Sequence, residues 1–253
     1  MDRLVFTSHA AISEGAIARQ AMVNEMANVS TVGFKRSFDV AMRSLKVEGA
    51  GFDTRYQVEA ISRDVIDLTP GAMMNTGRPM DVAMQGATVM GVQAPNGQLA
   101  FTRRGDLRLN AQGALEDGLG HLVRGQGGPI VIPPGFHVSI NSDGSVYANS
   151  PAQPNAPAVL VGQILLRDAS QTNLIRREDG LYGPLGQPPG SDFANGPQRP
   201  ALKSEALEGS NVNAIYAMTR MIDHSRSFEA QIRAIKEARS LDESGATLMK
   251  STS

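Results

Sequence analysis

The sequence predicts an α+β fold: long N- and C-terminal helices paired as a helical, coiled-coil module, with a central, mostly antiparallel β domain between them. Three observations predict it. A proline-free stretch opens the chain with apolar residues at helical steps. From Met80 to about Leu166, short apolar runs alternate with tight-turn residues. Near the C-terminus, Met218, Met221, Phe228, Ile232 and Ile235 follow one another by three, four and seven, which places them on one stripe of an α-helix. The organisation read from these patterns is 1–36 as the N-terminal helix, 37–79 as an extended connector, 80–200 as the β domain and 201–253 as the C-terminal helix.

In order, Asp2 to about Asn28 reads as a helix with a broad, alanine-rich apolar stripe that includes Leu4, Val5, Ala11, Ile12, Ala16, Val23 and Met26. Gly15 lowers its intrinsic stability by about 1 kcal/mol relative to alanine. Alone such a helix is marginal in water, because most helical stability comes from packing. Both terminal stretches are therefore expected to order only against each other or against neighbours. Asn28, Ser30, Thr31 and Gly33 follow, residues that satisfy backbone groups where a chain turns. From Ser37 to Thr69 the pattern is irregular, with loose alternation from Tyr56 to Leu68 that fits a strand.

The middle carries Pro95-Asn-Gly97, Asn110-Ala-Gln-Gly113, Asp117-Gly118 and Ser142-Asp-Gly144, whose glycines suit the positive φ of hairpin turns. Between them, Leu99–Phe101, Leu107–Leu109, Leu115, Leu119–Val123, Ile130–Ile132 and Val138–Ile140 form a meander-like set of strands. A longer strand is expected from Val159 to Leu166. The run Pro151–Pro157 reads as a loop, and Leu185–Pro200, rich in glycine and proline, as a return linker. Ser210 and Asn211 stand where they can cap the last helix. That helix, about thirty residues and roughly 45 Å long, is expected to fade through Leu241–Gly245.

Composition narrows the function classes. The 253 residues carry 41% hydrophobic side chains, 5% aromatics and no tryptophan, which gives a real core but no material for a large aromatic pocket. Net charge is -1, and no basic block supports nucleic-acid binding by counterion release. No apolar run approaches the roughly 18 residues of a membrane span. His9, Ser13 and Glu14 interrupt any secretory signal core. With no cysteine, thiol catalysis, disulfides and thiolate metal sites are excluded.

Candidate chemical sites are weak. His9, His121, His137 and His224 lack ligand spacing, so no metal or cofactor is expected. There is no Gly-x-Ser-x-Gly elbow. Gly125-Gln-Gly-Gly128 lacks the phosphate-loop lysine and is followed by Pro129. Asn141–Ser145 lacks the remaining ligands of a calcium loop. Arg104-Gly-Asp106 and Asn28-Val-Ser30 match an adhesion tripeptide and a glycosylation sequon by letters alone. Asp81 is read as holding a turn at the start of the β domain rather than as an acid or base.

Three segments carry a resemblance. Ala27-Asn-Val-Ser-Thr-Val-Gly-Phe-Lys-Arg36 is similar to the motif that closes the N-terminal helix in the flagellar rod, hook and hook-associated axial proteins. Asn75-Thr-Gly-Arg-Pro-Met-Asp-Val-Ala-Met-Gln-Gly86 resembles that family's "TGxPxDVAIxG" segment, and Leu207-Glu-Gly-Ser-Asn-Val212 its "LExSNV" segment. The likeness covers most of the chain and is weakest between Ala148 and Pro200. Glu25, Met26 and Ala87-Thr-Val-Met90 depart from the usual pattern. Met1-Asp-Arg-Leu4 and the length resemble proximal-rod members more than distal-rod members.

The resemblance implies a structural subunit of the flagellar basal-body rod rather than an enzyme. Its implied partners are other rod proteins and copies of itself, with the flagellar export apparatus in transit and without a cleaved signal. Val23, Met26, Met218, Met221, Phe228, Ile232 and Ile235 are then expected to pack against neighbours. Asn28, Thr31, Gly33, Ser210 and Asn211 are expected to set the helix ends. The alternatives are a distal-rod or hook-type subunit, and a soluble β-domain enzyme or ligand binder with a helical lid.

Overall fold

A computed structural model describes residues 2–37, 41–46, 56–61, 65–152 and 157–251. Parts of the irregular stretch Ser37–Thr69 (38–40, 47–55 and 62–64) and of the proline-rich run (153–156) lie outside the described residues, as do the side chains of Leu4, Val5 and Ala11. The chain divides into two units, one made of Met1–Ala27, Asp39–Arg63 and Asn213–Ser253, the other of Asn28–Phe38 and Asp64–Val212.

The first unit holds helix α1 (Asp2–Ala27), strands β1 (Ala41–Lys46) and β2 (Tyr56–Ile61) and helix α2 (Ala214–Ser251). The two strands form an antiparallel hairpin with Ala41 opposite Ile61 and Lys46 opposite Tyr56. The helices touch where His224 bonds through Nε2 to the Gly15 carbonyl at 2.8 Å. A Cβ on Gly15 would lie 3.3 Å from that same nitrogen, so the glycine that weakens α1 also makes room for the contact. α2 continues through Gly245 to Ser251 rather than ending near it.

Here the expected fold class is corrected. Among the described residues the structure is mostly β and multi-sheet, with two helices of unequal length, 26 and 38 residues, that do not form a paired coiled-coil module. A coiled coil needs large side chains interlocked along a seam. Among the described side chains of α2, the fully buried ones are the small Ala217 and Ala238, Met221, Ile232 and Ile235 are half-buried, and Ile215, Met218, Ile222 and Leu241 are 50–78% exposed. Spacing by three and four places side chains on a stripe, but it does not say what covers the stripe.

The second unit is β throughout. Its strands are β3 (Met73–Asn75), β4 (Val82–Met84), β5 (Thr88–Gln93), β6 (Leu99–Thr102), β7 (Arg108–Leu109), β8 (Leu115–Glu116), β9 (Leu122–Gly125) and β10 (Gly128–Pro129). There follow β11 (His137–Ile140), β12 (Ser145–Asn149), β13 (Val159–Gln163), β14 (Leu166–Asp168), β15 (Leu174–Arg176), β16 (Tyr182–Pro184), β17 (Leu202–Ser204) and β18 (Ala206–Glu208). A nine-stranded sheet runs β15-β16-β6-β5-β9-β8-β7, with β14 on β5 and β10 on β9. A second sheet runs β11-β12-β13, and two small ones pair β17 with β4 and β18 with β3.

Strand β5 is the centre. It bonds β6 along one edge, and β14 and β9 share the other. Met90 and Val92 face the main core with Leu107, Leu115, Val123, Ile164 and Leu202, whereas Val89 faces a smaller core with Phe101, Leu174, Tyr182 and Phe193. Burial on both faces is why its sequence does not alternate apolar with polar. In the smaller core the Phe101 and Phe193 rings meet edge to face at 4.8 Å, the geometry that aromatic quadrupoles favour.

Three of the four turn signals act as their residues dictate; in the fourth, Gly120 rather than Gly118 takes the positive φ, at 92°. Gly97, Gly113 and Gly144 have φ of 82°, 78° and 83°, a region in which glycine pays no Cβ penalty. The expected strand Val159–Leu166 is divided into β13 and β14, because Ile164 and Leu165 bond Gly144 and Arg124 instead of continuing one ladder.

Candidate functional site

The chain enters the β unit through residues 28–37 and leaves it through 206–212, and these two segments meet. The turn after α1 is held by Asn28, whose side-chain oxygen accepts the Thr31 hydroxyl at 3.1 Å and whose carbonyl accepts the Thr31 N–H at 3.2 Å. Gly33 has φ of 67°, and any Cβ there would run into the Arg103 carbonyl. Its N–H donates to the Glu208 carbonyl at 2.7 Å, and its own carbonyl accepts the buried Tyr182 hydroxyl at 3.3 Å. Phe34 is buried beneath the Arg176 guanidinium, which lies 4.3 Å from the ring centre, a cation–π geometry.

Next in the chain, Lys35 is fully buried. Its ammonium donates to Glu208 Oε1 at 2.6 Å and to the Thr69 carbonyl at 2.7 Å. Glu208 accepts Gly71 N–H through the same oxygen at 3.0 Å and Arg103 Nε through Oε2 at 2.8 Å. Arg103 is also buried and donates its remaining nitrogens to the carbonyls of Gly86 at 2.6 Å and Met84 at 2.9 Å. One carboxylate thus holds two cations away from water. Burial, and then the Arg103 charge, push the Lys35 pKa below its ordinary 10.5, while Glu208 opposes the shift.

Around this knot the amide of Asn211 bridges both segments. Its oxygen accepts the Arg36 N–H at 2.8 Å, and its nitrogen donates to the Asp67 carbonyl at 2.9 Å. Arg36 Nε pairs with Asp67 at 3.2 Å. Burial pushes the Asp67 carboxyl up, but bonds from the Thr69 backbone and hydroxyl and from Arg36 outweigh it, leaving the pKa below 3.8. Gly71 lies against the Gly209 backbone too closely for a side chain. Glu205, at φ 58°, turns the chain so that Ser204 pairs with Val82 on β4 and Ala206 with Asn75 on β3.

Three segments far apart in sequence therefore close on one spot: 33–36, 67–86 with Arg103, and 204–211. Of the expected site residues, Asn28, Thr31, Gly33 and Asn211 lie here, and Ser210 accepts the Val212 N–H nearby at 3.2 Å. Asn213, not Asn211, caps α2, accepting the Tyr216 N–H at 3.0 Å. The others are on the helices. Val23, Met218 and Phe228 are exposed, and Met26, Met221, Ile232 and Ile235 are half-buried.

Sequence reasoning missed Lys35, Arg103, Tyr182 and Glu208. Lys35 and Glu208 stand inside two of the quoted motifs, but nothing local says that they meet. Asp81 is buried, its N–H donating to the Arg78 carbonyl at 3.0 Å, with Arg78 3.7 Å from its carboxylate.

Chemically, the knot is built to hold. Its carboxylate and both cations are engaged with one another and with backbone groups. Among the described residues no group of three or more His, Cys, Asp or Glu could hold a metal ion, and no helix is long and apolar enough to cross a membrane.

Comparison with known proteins supplies the class first. The family described as flagellar hook protein FlgE/F/G D1 domain matches residues 83–148, and the one described as flagellar basal body rod FlgEFG protein C-terminal matches 203–248. Among individual proteins, the chain is 35% identical over 240 residues to the flagellar basal-body rod protein FlgF of Escherichia coli, covering 93% of each chain. It is 35% identical over 237 residues to FlgF of Salmonella typhimurium, again covering 93% of each. Against the flagellar basal-body rod protein FlgG of Bacillus subtilis it is 31% identical over 233 residues, 84% of this chain and 86% of that one. The chain belongs to the flagellar basal-body rod protein family.

Proposed function

We propose that the chain is a structural subunit of the bacterial flagellar rod, in its proximal section within the periplasmic space, where it transmits torque. Its partners are other rod proteins and further copies of itself, and the flagellar export apparatus carries it outward. The observation that carries this reading is the apolar surface of α2: Ile215, Met218, Ile222 and Phe228 are 38–78% exposed on a chain similar to FlgF over 93% of its length. Large apolar side chains clustered along one exposed helix mark an interaction surface. Contacts between unlike faces of successive subunits build open helical assemblies. Val23, Met26, Met218, Met221, Phe228, Ile232 and Ile235 supply that packing. Asn28, Thr31, Gly33, Ser210 and Asn211 hold the chain where it passes between helix and β unit.

Phe228→Asp tests the packing role. The charge abolishes incorporation into the rod and motility while the β unit stays folded, as read by soft-agar swimming, basal-body composition and circular dichroism. Normal swimming by that variant overturns the assignment. Similarity to FlgG favours a second reading, a distal-rod or hook-type subunit. Crosslinking in intact basal bodies separates the two by the neighbour captured.

A further inference from the structure

The two segments that carry the chain into and out of the β unit run in the same direction. Gly33 N–H bonds the Glu208 carbonyl at 2.7 Å, and Asn211 N–H bonds the Phe34 carbonyl at 3.3 Å, so residue numbers rise together on both sides. Side chains rivet the pair: Lys35 to Glu208 at 2.6 Å and Arg36 N–H to Asn211 at 2.8 Å. A third segment backs both, through Asp67 N–H to the Arg36 carbonyl at 2.9 Å and Gly209 N–H to the Ala72 carbonyl at 2.8 Å. Arg103 then ties Glu208 to the carbonyls of Met84 and Gly86, beside central strand β5.

From this geometry we infer that the paired segments are a mechanical clamp, which protects the β unit when tension is applied through its two chain ends. Tension reaches the incoming segment at its N-terminal end, near residue 28, and the outgoing one at its C-terminal end, near residue 212. Because the segments are parallel, these pulls act along their length in opposite senses. Every bond across the pair is then loaded at once. An antiparallel pair gripped at its adjacent ends would instead open one bond at a time. The buried ion cluster adds resistance, since sliding by one residue separates Lys35 and Glu208 where water cannot replace either partner. The value of such a clamp in a rotating shaft rests on the rod reading, but the clamp itself is a property of the isolated chain.

Force spectroscopy on the full chain tests it. The sequence has no cysteine, so introduced thiols define the pulling points. Asp2→Cys with Ser253→Cys loads the β unit through residues 28 and 212. Gln112→Cys with Gln187→Cys, both exposed, loads a stretch of chain that excludes the paired segments. The end-to-end pull is expected to give the higher unfolding force for the β unit. Asn211→Ala, milder than any change at the ion cluster, is expected to speed unfolding under that pull about fivefold or more, and the 112–187 pull much less. Equal acceleration in both directions would reduce the pair to ordinary stability, and an end-to-end force no higher than the other would overturn the clamp. Either result leaves the rod reading to be decided by assembly, not by force.

Discussion

Replacing Glu208 by glutamine removes the carboxylate that bonds both Lys35 and Arg103. All three side chains are at most 1% exposed. The carboxylate accepts Lys35 Nζ at 2.6 Å, Gly71 N–H at 3.0 Å and Arg103 Nε at 2.8 Å. Glutamine keeps one acceptor oxygen and presents an NH2 group in place of the other. One cation would therefore face donors in a space closed to water. Removing one partner of a buried ion pair costs about 3–5 kcal/mol, a large part of the roughly 5–15 kcal/mol that holds a typical domain together. For a unit of this size each kcal/mol moves the midpoint by about 2–4 °C, so the β unit should melt about 6–20 °C lower, read by circular dichroism and urea titration. Lys35→Met should cost less, because Glu208 keeps Arg103 and the Gly71 N–H. A Glu208→Gln protein within about 1 kcal/mol of the native one would refute the argument that this carboxylate is the counter-charge of the knot.

Gly33→Ala forces a Cβ into the left-handed region and against the Arg103 carbonyl. It should cost about 2 kcal/mol or more, and near-native urea unfolding would contradict that. The Asp67 carboxyl has a folded pKa below its ordinary 3.8, so its stabilisation is fully present above that value and is lost as pH falls through the folded pKa. Asp67→Asn should flatten acid unfolding below about pH 4, and an unchanged acid limb would count against the bonds from Thr69 and Arg36 that hold this carboxylate charged. His224→Ala removes the bond to the Gly15 carbonyl. It should speed amide exchange in the helices, at a cost of about 1 kcal/mol, without moving the melting of the β unit.

What the sequence shows of this fold is what is local. Asn-Gly and Asn-x-x-Gly turns declare themselves because one residue type supplies the required φ, and the hairpins around Gly97, Gly113 and Gly144 are where those residues stand. Strands β17 and β18 are not legible in the same way. Each has three residues and pairs with a strand more than a hundred positions earlier, so neither length nor alternation marks it. The coiled-coil expectation failed for a related reason: the stripe on α2 is present, but Met218 and Phe228 are exposed and Met221, Ile232 and Ile235 only half-buried, while the small Ala217 and Ala238 are the ones fully covered.

The knot sits between these cases. Asn28, Thr31 and Gly33 are visible as turn residues inside recognisable motifs, whereas Asn211 is visible only as a helix cap, the role that Asn213 fills. Lys35 and Glu208 are 173 positions apart, and a buried ion pair leaves no periodicity to read. Charged residues within motifs that are otherwise small and polar are the signal that could have pointed to them.

The most direct test of the account is a cryo-electron microscopy reconstruction of basal bodies from the native cell. The account predicts this chain in the proximal rod, with Ile215, Met218, Ile222 and Phe228 covered by adjacent subunits. Basal bodies that lack it, or a rod in which those side chains face solvent, would contradict it.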